Sequence, residues 1–161
     1  MITIDGGTGT ILYNGTDYKS GSAIQTKSTT KTDVFSTTST SFTDVTGLSV
    51  NITPSSSSNK VLVTGLVTFG GSETDISIAD AAGNRTRATL GTQGFNNGDA
   101  TMGHSLNFLD SPSTTSQVTY KIQARAENPK TLYVNRGNEA DGDNAITSRF
   151  VSTITVMEVA A

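Results

Sequence analysis

Three features of the sequence predict an all-β chain, an antiparallel β-sandwich or jelly-roll head with a short N-terminal hairpin or extended arm. Thr, Ser and Gly make up roughly four residues in ten, and charged residues only 16%. Thr-rich runs carrying Val and Ile suit a pleated, half-buried surface. Strand-like runs recur about every 8–12 residues with turn signals between them, and no segment holds a helical apolar period over three turns. A chain of 161 residues with a net charge of −3 is long enough for one core and too weakly charged to read as disordered. The division expected is a hairpin, arm and linker over 1–31 and a sandwich head over 32–161.

At the start, Met1-Ile-Thr-Ile-Asp5 and Thr10-Ile-Leu-Tyr13 flank Gly6-Gly-Thr-Gly9, and Asn14-Gly15 follows as a turn signal, so a small hairpin is expected. The glycine loop lacks the Lys-Ser/Thr pair and the following helix of a phosphate loop, so turn chemistry explains it. Residues 17–32 are polar and weakly periodic, with Ile24 alone among Ser, Thr and Lys; a linker or extended arm is expected there.

The head opens at Thr32-Asp-Val-Phe35. In the next run Leu48, Val50 and Ile52 share a face, and Thr53-Pro-Ser-Ser-Ser-Ser-Asn59 breaks it, since Pro cannot donate to a ladder. Residues 60–69 place Val61, Val63, Val67 and Phe69 on one face and Leu62 and Leu66 on the other, the pattern of a central strand covered on both sides. Short strands are expected at 75–79 and 85–90, a Gly- and Asn-rich loop at 91–103, a strand at 104–109 and a turn at Asp110-Ser-Pro-Ser113.

Along 118–126, Val118, Tyr120, Ile122, Ala124 and Ala126 alternate with polar residues, the period-2 pattern of a strand with one buried face. Asn128-Pro129 separates this run from 130–136, which predicts a hairpin. In the last run Ile154 and Val156 point one way, and Val151, Met157 and Val159 the other. A strand apolar front and back must be covered twice, and apolar residues are too few for the chain to do so alone; sister copies are expected to complete the packing.

Several classes of function are excluded or disfavoured. With no cysteine, disulfides and thiolate metal sites are excluded. No apolar run approaches the ~20 residues of a membrane span, and the basic-then-apolar layout of a leader is missing, so a soluble protein made in the cytoplasm is expected, with no membrane partner. The 11 basic residues are scattered, with no cluster to follow a phosphate backbone, so nucleic acid is not an expected partner. The single histidine, His104, reads as structural rather than as part of a triad or a multi-histidine metal site.

Asp141-Gly-Asp-Asn144 offers oxygen ligands for Ca²⁺ but lacks the full loop and terminal Glu of an EF-hand, so it reads as an acidic turn. Asp80, Asp110, Asp141 and Asp143 could supply a carboxylate pair for glycoside hydrolysis, which needs two acids about 5–10 Å apart. Sugar clefts usually carry aromatic platforms, and the chain has no Trp, so no enzyme, cofactor or metal is expected. Arg85, Arg87, Arg125, Arg136 and Arg149 read as a solvated face. The sharper reading places Arg87 and Arg125 in inter-subunit ion pairs, with Met157 also at a subunit contact.

The segments Thr37-Thr-Ser-Thr-Ser-Phe-Thr-Asp-Val-Thr-Gly-Leu-Ser-Val50, Ile52-Thr-Pro-Ser-Ser56, Lys60-Val-Leu-Val63, Gly83-Asn-Arg-Thr-Arg-Ala88, Asn107-Phe-Leu-Asp-Ser-Pro112, Thr119-Tyr-Lys-Ile122, Tyr133-Val-Asn-Arg136 and Ser152-Thr-Ile-Thr-Val-Met-Glu-Val159 together resemble small tail-fibre-like structural proteins of tailed phages of marine and cyanobacterial hosts. The resemblance implies a non-enzymatic β-sandwich module of the virion, assembled in the host cytoplasm. It is commonly a homotrimer, with itself and other virion proteins, major capsid or tail proteins, as partners. Such modules often end a longer fibre, whereas this chain begins at Met1 with a short polar arm. That favours a capsid decoration (cement) protein, its arm anchored through Ile2, Ile4, Ile11 and Leu12. The alternatives are a tail-fibre or adhesin head that binds a host-surface glycan or protein through loops at 91–103 and 137–144, and a polysaccharide depolymerase.

Overall fold

A computed structural model describes residues 2–5, 10–13, 16–17, 21–70, 74–80, 86–92, 101–126, 130–137 and 149–161, with the strands at 2–17 and 74–92 described by backbone pairing. Among the described residues the chain is all-β, with no helix. The strands are β1 (Ile2–Asp5), β2 (Thr10–Tyr13), β3 (Thr16–Asp17), β4 (Ala23–Lys31), β5 (Phe35–Thr37), β6 (Thr43–Ile52), β7 (Lys60–Gly70), β8 (Thr74–Asp80), β9 (Thr86–Thr92), β10 (Thr101–Asp110), β11 (Val118–Ala126), β12 (Leu132–Val134) and β13 (Ser152–Val159).

Two antiparallel sheets form a sandwich. The larger runs β4-β13-β7-β12-β5, with β10 on the other edge of β7; the smaller runs β6-β11-β8-β9. As predicted, β1 and β2 pair antiparallel, with Ile4 opposite Ile11 and Thr3 opposite Leu12, and β3 extends them to a three-stranded sheet.

The core lies between the inner faces of the two sheets, where period-2 alternation gathers the apolar residues. The larger sheet contributes Val61, Val63, Val67, Phe69, Leu106, Leu132, Val134, Ile154 and Val156; the smaller contributes Val45, Leu48, Val50, Ile52, Val118, Tyr120, Ile122, Ala124 and Ala126. Every apolar residue of the predicted alternation in β11 is buried. In β6, Val45 and Leu48 are both buried although their spacing breaks alternation. A bulge accounts for this: Lys121 pairs with Ser49 but Gln123 with Asp44, and Gly47 takes a φ of 87° in the left-handed region, which glycine adopts without a Cβ penalty.

Four sequence expectations are corrected. Residues 118–126 and 130–136 do not form a hairpin: β11 pairs with β6 and β8, whereas β12 pairs with β5 and β7 in the opposite sheet. The Asn-Pro punctuation marks a crossing between sheets, because both strands turn apolar faces to the same core. Residues 23–31, expected within a linker, form β4, laddered to β13 from Lys31–Ser152 to Ala23–Val159. An edge strand exposed on most of its positions needs no apolar run, so its composition reads as linker. Both ends of the loop expected at 91–103 are strand, since β9 reaches Thr92 and β10 starts at Thr101. Finally, β7 is central in pairing but covered on one face only: Leu62 is half-buried and Leu66 is 46% exposed.

The end of β7 is tight. A Cβ on Gly70 would lie 2.6 Å from the carbonyl oxygen of Arg136 and 2.8 Å from the Cα of Gly137, both backbone. On the neighbouring strand, a Cβ on Gly103 would meet only side-chain tips, of Leu66 at 3.4 Å and of Thr68 at 4.0 Å. Gly70→Ala is therefore expected to lower unfolding free energy by roughly 1–3 kcal/mol and Gly103→Ala to stay within about 0.5 kcal/mol of the parent, as measured by chemical denaturation.

Candidate functional surface

Several polar side chains that could suggest chemistry are taken up by structure. Glu158 is fully buried on the inner face of β13. One carboxylate oxygen accepts from the backbone N and the Oγ of Ser55 and from Asn59 Nδ2, all at 2.7 Å, and the other accepts from Gln25 Nε2 at 2.6 Å. Burial by itself raises the pKa of such a group. The bonds from Gln25, Asn59 and Ser55 outweigh burial and bring the carboxyl from the usual 4.5 down to about 2. This clasp joins β4, the 53–59 loop and β13. Beside it the two ends of the head are tied, since Gly21 N donates to Ala160 O at 3.2 Å and Ala160 N to Ser22 O at 2.9 Å.

A second buried cluster centres on Asn135, fully buried with a φ of 64°, a conformation that Asn tolerates better than most residues. Its Nδ2 donates to the carbonyls of Lys31 (2.8 Å) and Asp33 (3.0 Å), and its Oδ1 accepts from Ser152 Oγ at 2.6 Å. Lys31 is itself buried and places Nζ 2.8 Å from Asp33. Of the predicted carboxylates, Asp110 is buried and accepts from the buried Tyr120 hydroxyl at 2.7 Å. The backbone of Asp80 pairs with Tyr120 in the next strand, while Asp141 and Asp143, and with them the Ca²⁺ reading, lie outside the described residues. His104 stacks on Phe69 with ring centroids 4.9 Å apart, its Nε2 buried with no hydrogen-bond partner among the described residues. No group of three His, Cys, Asp or Glu suited to a metal occurs among the described residues.

The two outer faces of the sandwich differ sharply. On the smaller sheet, Lys121 Nζ lies 2.9 Å from Asp44, Gln123 Nε2 donates to Asp44 at 2.6 Å, and Thr119 Oγ1 donates to Asn51 at 2.6 Å. Burial raises the Asp44 pKa, but the bonds from Lys121 and Gln123 outweigh this and leave it lowered. This is a solvated, charge-balanced face.

The outer face of the larger sheet carries three consecutive rows across β10, β7, β13 and β4, fixed by their register. One row is Leu109, Leu62, Met157 and Thr26. The next is Asn107, Thr64, Thr155 and Ser28, and the third Ser105, Leu66, Thr153 and Thr30. None of these residues is ionisable, and Leu109 and Leu66 are 48% and 46% exposed.

The sequence-predicted contact residues fall in separate places. Ile2, Ile4, Ile11 and Leu12 lie in β1 and β2. Arg87 falls at the register irregularity between β8 and β9. Arg125 sits on β11 with its guanidinium 5.4 Å from the centre of the Phe42 ring. Met157 is on the other sheet, in the apolar row. The structure thus does not join Arg87, Arg125 and Met157 in one patch. Leu109, Met157's row-mate beyond Leu62, was missed because its strand was read alone, and only the register aligns the three.

No family model matches the chain, and no curated protein does. Among solved structures it is similar to the infectious bursal disease virus VP2 subviral particle, at 14% identity and a TM-score of 0.39, covering 87% of this chain and 38% of that one. The infectious bursal disease virus Gt strain structure aligns at 17% identity and a TM-score of 0.43, covering 87% and 39%. The chain spans less than two fifths of each, and likeness at this level carries no inference about activity or partners.

The depressed Glu158 pKa sets a pH dependence. A carboxylate with a lowered folded-state pKa stabilises the fold fully above its unfolded pKa, and that contribution is lost as pH falls through the folded value. Because Asp44 is shifted in the same direction, the informative quantity is the difference in melting temperature between the parent and Glu158→Gln. It should be largest above about pH 5 and shrink steadily toward pH 2; a difference independent of pH would refute the assignment.

Proposed function

We propose that this chain is a non-enzymatic structural subunit of a phage virion, a trimeric capsid decoration protein that attaches through its N-terminal strands and shows its sandwich to solvent. The observation carrying this reading is the inequality of the two outer faces: one is charged and solvated, while the other has three rows without an ionisable residue, bounded by Lys60, and exposes large aliphatic side chains. A patch of that kind marks a surface for association. The phage-fibre resemblance of the sequence supports a virion as the setting.

Attachment through β1 and β2 suits the way the head is tied. An N-terminal anchor transmits load to the sheet through β4, which is laddered along its length to β13 and clasped at its start by Glu158 through Gln25. Both ends of the head leave from that reinforced corner.

Removing residues 1–20, ahead of β4, is expected to leave a folded head that no longer joins particles; a truncated protein that still decorates capsids would rule out the arm. Immunogold labelling of intact particles is expected to cover the head. Label confined to the tail would favour the fibre or adhesin reading, and reducing ends released from host polysaccharide would overturn the non-enzymatic one.

A further inference from the structure

We infer that β10 is the edge at which two copies of this chain join, their β10 strands pairing antiparallel across a two-fold axis at Ser105, so that the larger sheet runs from one copy into the next. The inference goes beyond the proposed function: a two-fold contact of this kind links neighbouring trimers and is indifferent to where on a particle they sit.

An open sheet edge is a row of unpaired N–H and C=O groups, and proteins protect it with lysines, bulges, short length or a covering element. The other edge strands of the sandwich each carry such a device. β4 holds Lys27 and Lys31, has a register shift opposite Val159 and lies beside β6. β6 is broken by the bulge at Gly47, β9 by the irregularity at Arg87, and β5 is three residues long. β10 has none of them. It runs ten residues in unbroken register with β7 and contains no Lys, Arg, Glu or Pro. Its ionisable side chains are His104, stacked on Phe69, and Asp110, buried at its end. Among the described residues no strand pairs with its other edge.

The side chains of β10 point to the occupant. Met102, His104, Leu106 and Phe108 share the inward parity, yet of these four only Leu106 is buried, so the core is unfinished along this margin. A strand added there must bring apolar residues at alternate positions, and β10 is itself such a strand. Directly opposed residues of an antiparallel pair share a face, so a self-pairing has to be centred on a residue. Centred on Ser105, it sets Met102 against Phe108 of the second copy, a sulfur–aromatic contact made twice by symmetry, and His104 against Leu106. On the outer side Gly103 meets Asn107, and Ser105 meets itself. Centring on Leu106 would instead set the Asp110 carboxylate against Met102, which costs desolvation, and centring on His104 would carry Phe108 past the end of the strand at Thr101.

The cysteine-free chain makes this geometry measurable in the full-length protein. Residues opposed across an antiparallel pair lie about 4.5–5.5 Å apart at Cα, within disulfide reach, so Ser105→Cys should cross-link to itself under mild oxidation. Asn107→Cys, about 14 Å from its own copy, should not, while a mixture of Gly103→Cys and Asn107→Cys should form the mixed dimer. Light scattering of the parent should give an even number of copies. Ser105→Lys sets a charge against its own copy and should weaken the contact by about 10-fold or more, halving the mass with an unchanged far-ultraviolet spectrum; Ser49→Lys on the smaller sheet should change neither.

A protein that labels particles but shows neither the cross-link nor the halving overturns this inference and leaves the virion reading standing; cross-linking and halving with no labelling do the reverse. If Ser105→Cys cross-links on particles to a different protein, the edge belongs to that protein and the two-fold is overturned. Asn107→Cys cross-linking as fast as Ser105→Cys overturns it too.

Discussion

A β-strand presents two faces, and this chain has enough large apolar side chains to close only one face of each sheet. β7 shows the constraint most plainly. It is paired on both edges, to β10 on one side and to β13 and β12 on the other, so its backbone is fully used. Val61, Val63, Val67 and Phe69 fill the core, while Leu62 and Leu66 face away from it. Core residues, buried clusters and the outer rows all follow from that single parity.

Closing the inner face leaves polar groups stranded wherever strands end, and the fold resolves them by pairing rather than by exposure. Glu158 continues the inward parity of Ile154 and Val156 and so must be buried. It has no ion-pair partner among the described residues; neutral donors from two separate segments surround it instead. A buried carboxylate is tolerated only when hydrogen bonds replace water, and because those donors come from β4 and the 53–59 loop while the carboxylate sits on β13, its burial makes the corner cooperative. Asn135 does the same at the other end of β13, where a left-handed residue with a two-way side chain joins β12, the β4–β5 connection and Ser152.

The fold class and most strands were legible in the sequence because period 2 is a direct physical signal. The inward face of β11 could be read residue by residue, and so could the apolar outward positions of β7 and β13. What escaped was whatever depends on non-local pairing. β4 carries almost no apolar signal because it is an edge strand lying over the margin of the core, and Val45 is out of phase because the bulge at Gly47 resets parity. The Asn-Pro connection reads as a hairpin because a turn signal is the same whether the chain returns to its own sheet or crosses to the other. The apolar row could be half seen, in Leu62, Leu66 and Met157, but its assembly with Leu109 is a property of register. The cluster around Glu158 left no sequence signal, since Ser55, Asn59 and Gln25 look like ordinary turn and edge residues.

The two outer faces give the sandwich a direction. Hydroxyl pairs such as Ser28 with Thr155, at 2.9 Å, satisfy side chains on the larger sheet within the surface itself. Such a face loses little on being dried, because few polar groups must give up water. On the smaller sheet, Lys121 and Asp44 would have to be desolvated on burial, and that penalty opposes association there. The difference in desolvation cost, more than the exposed leucines alone, makes the three uncharged rows the less costly part of the outer surface to bury.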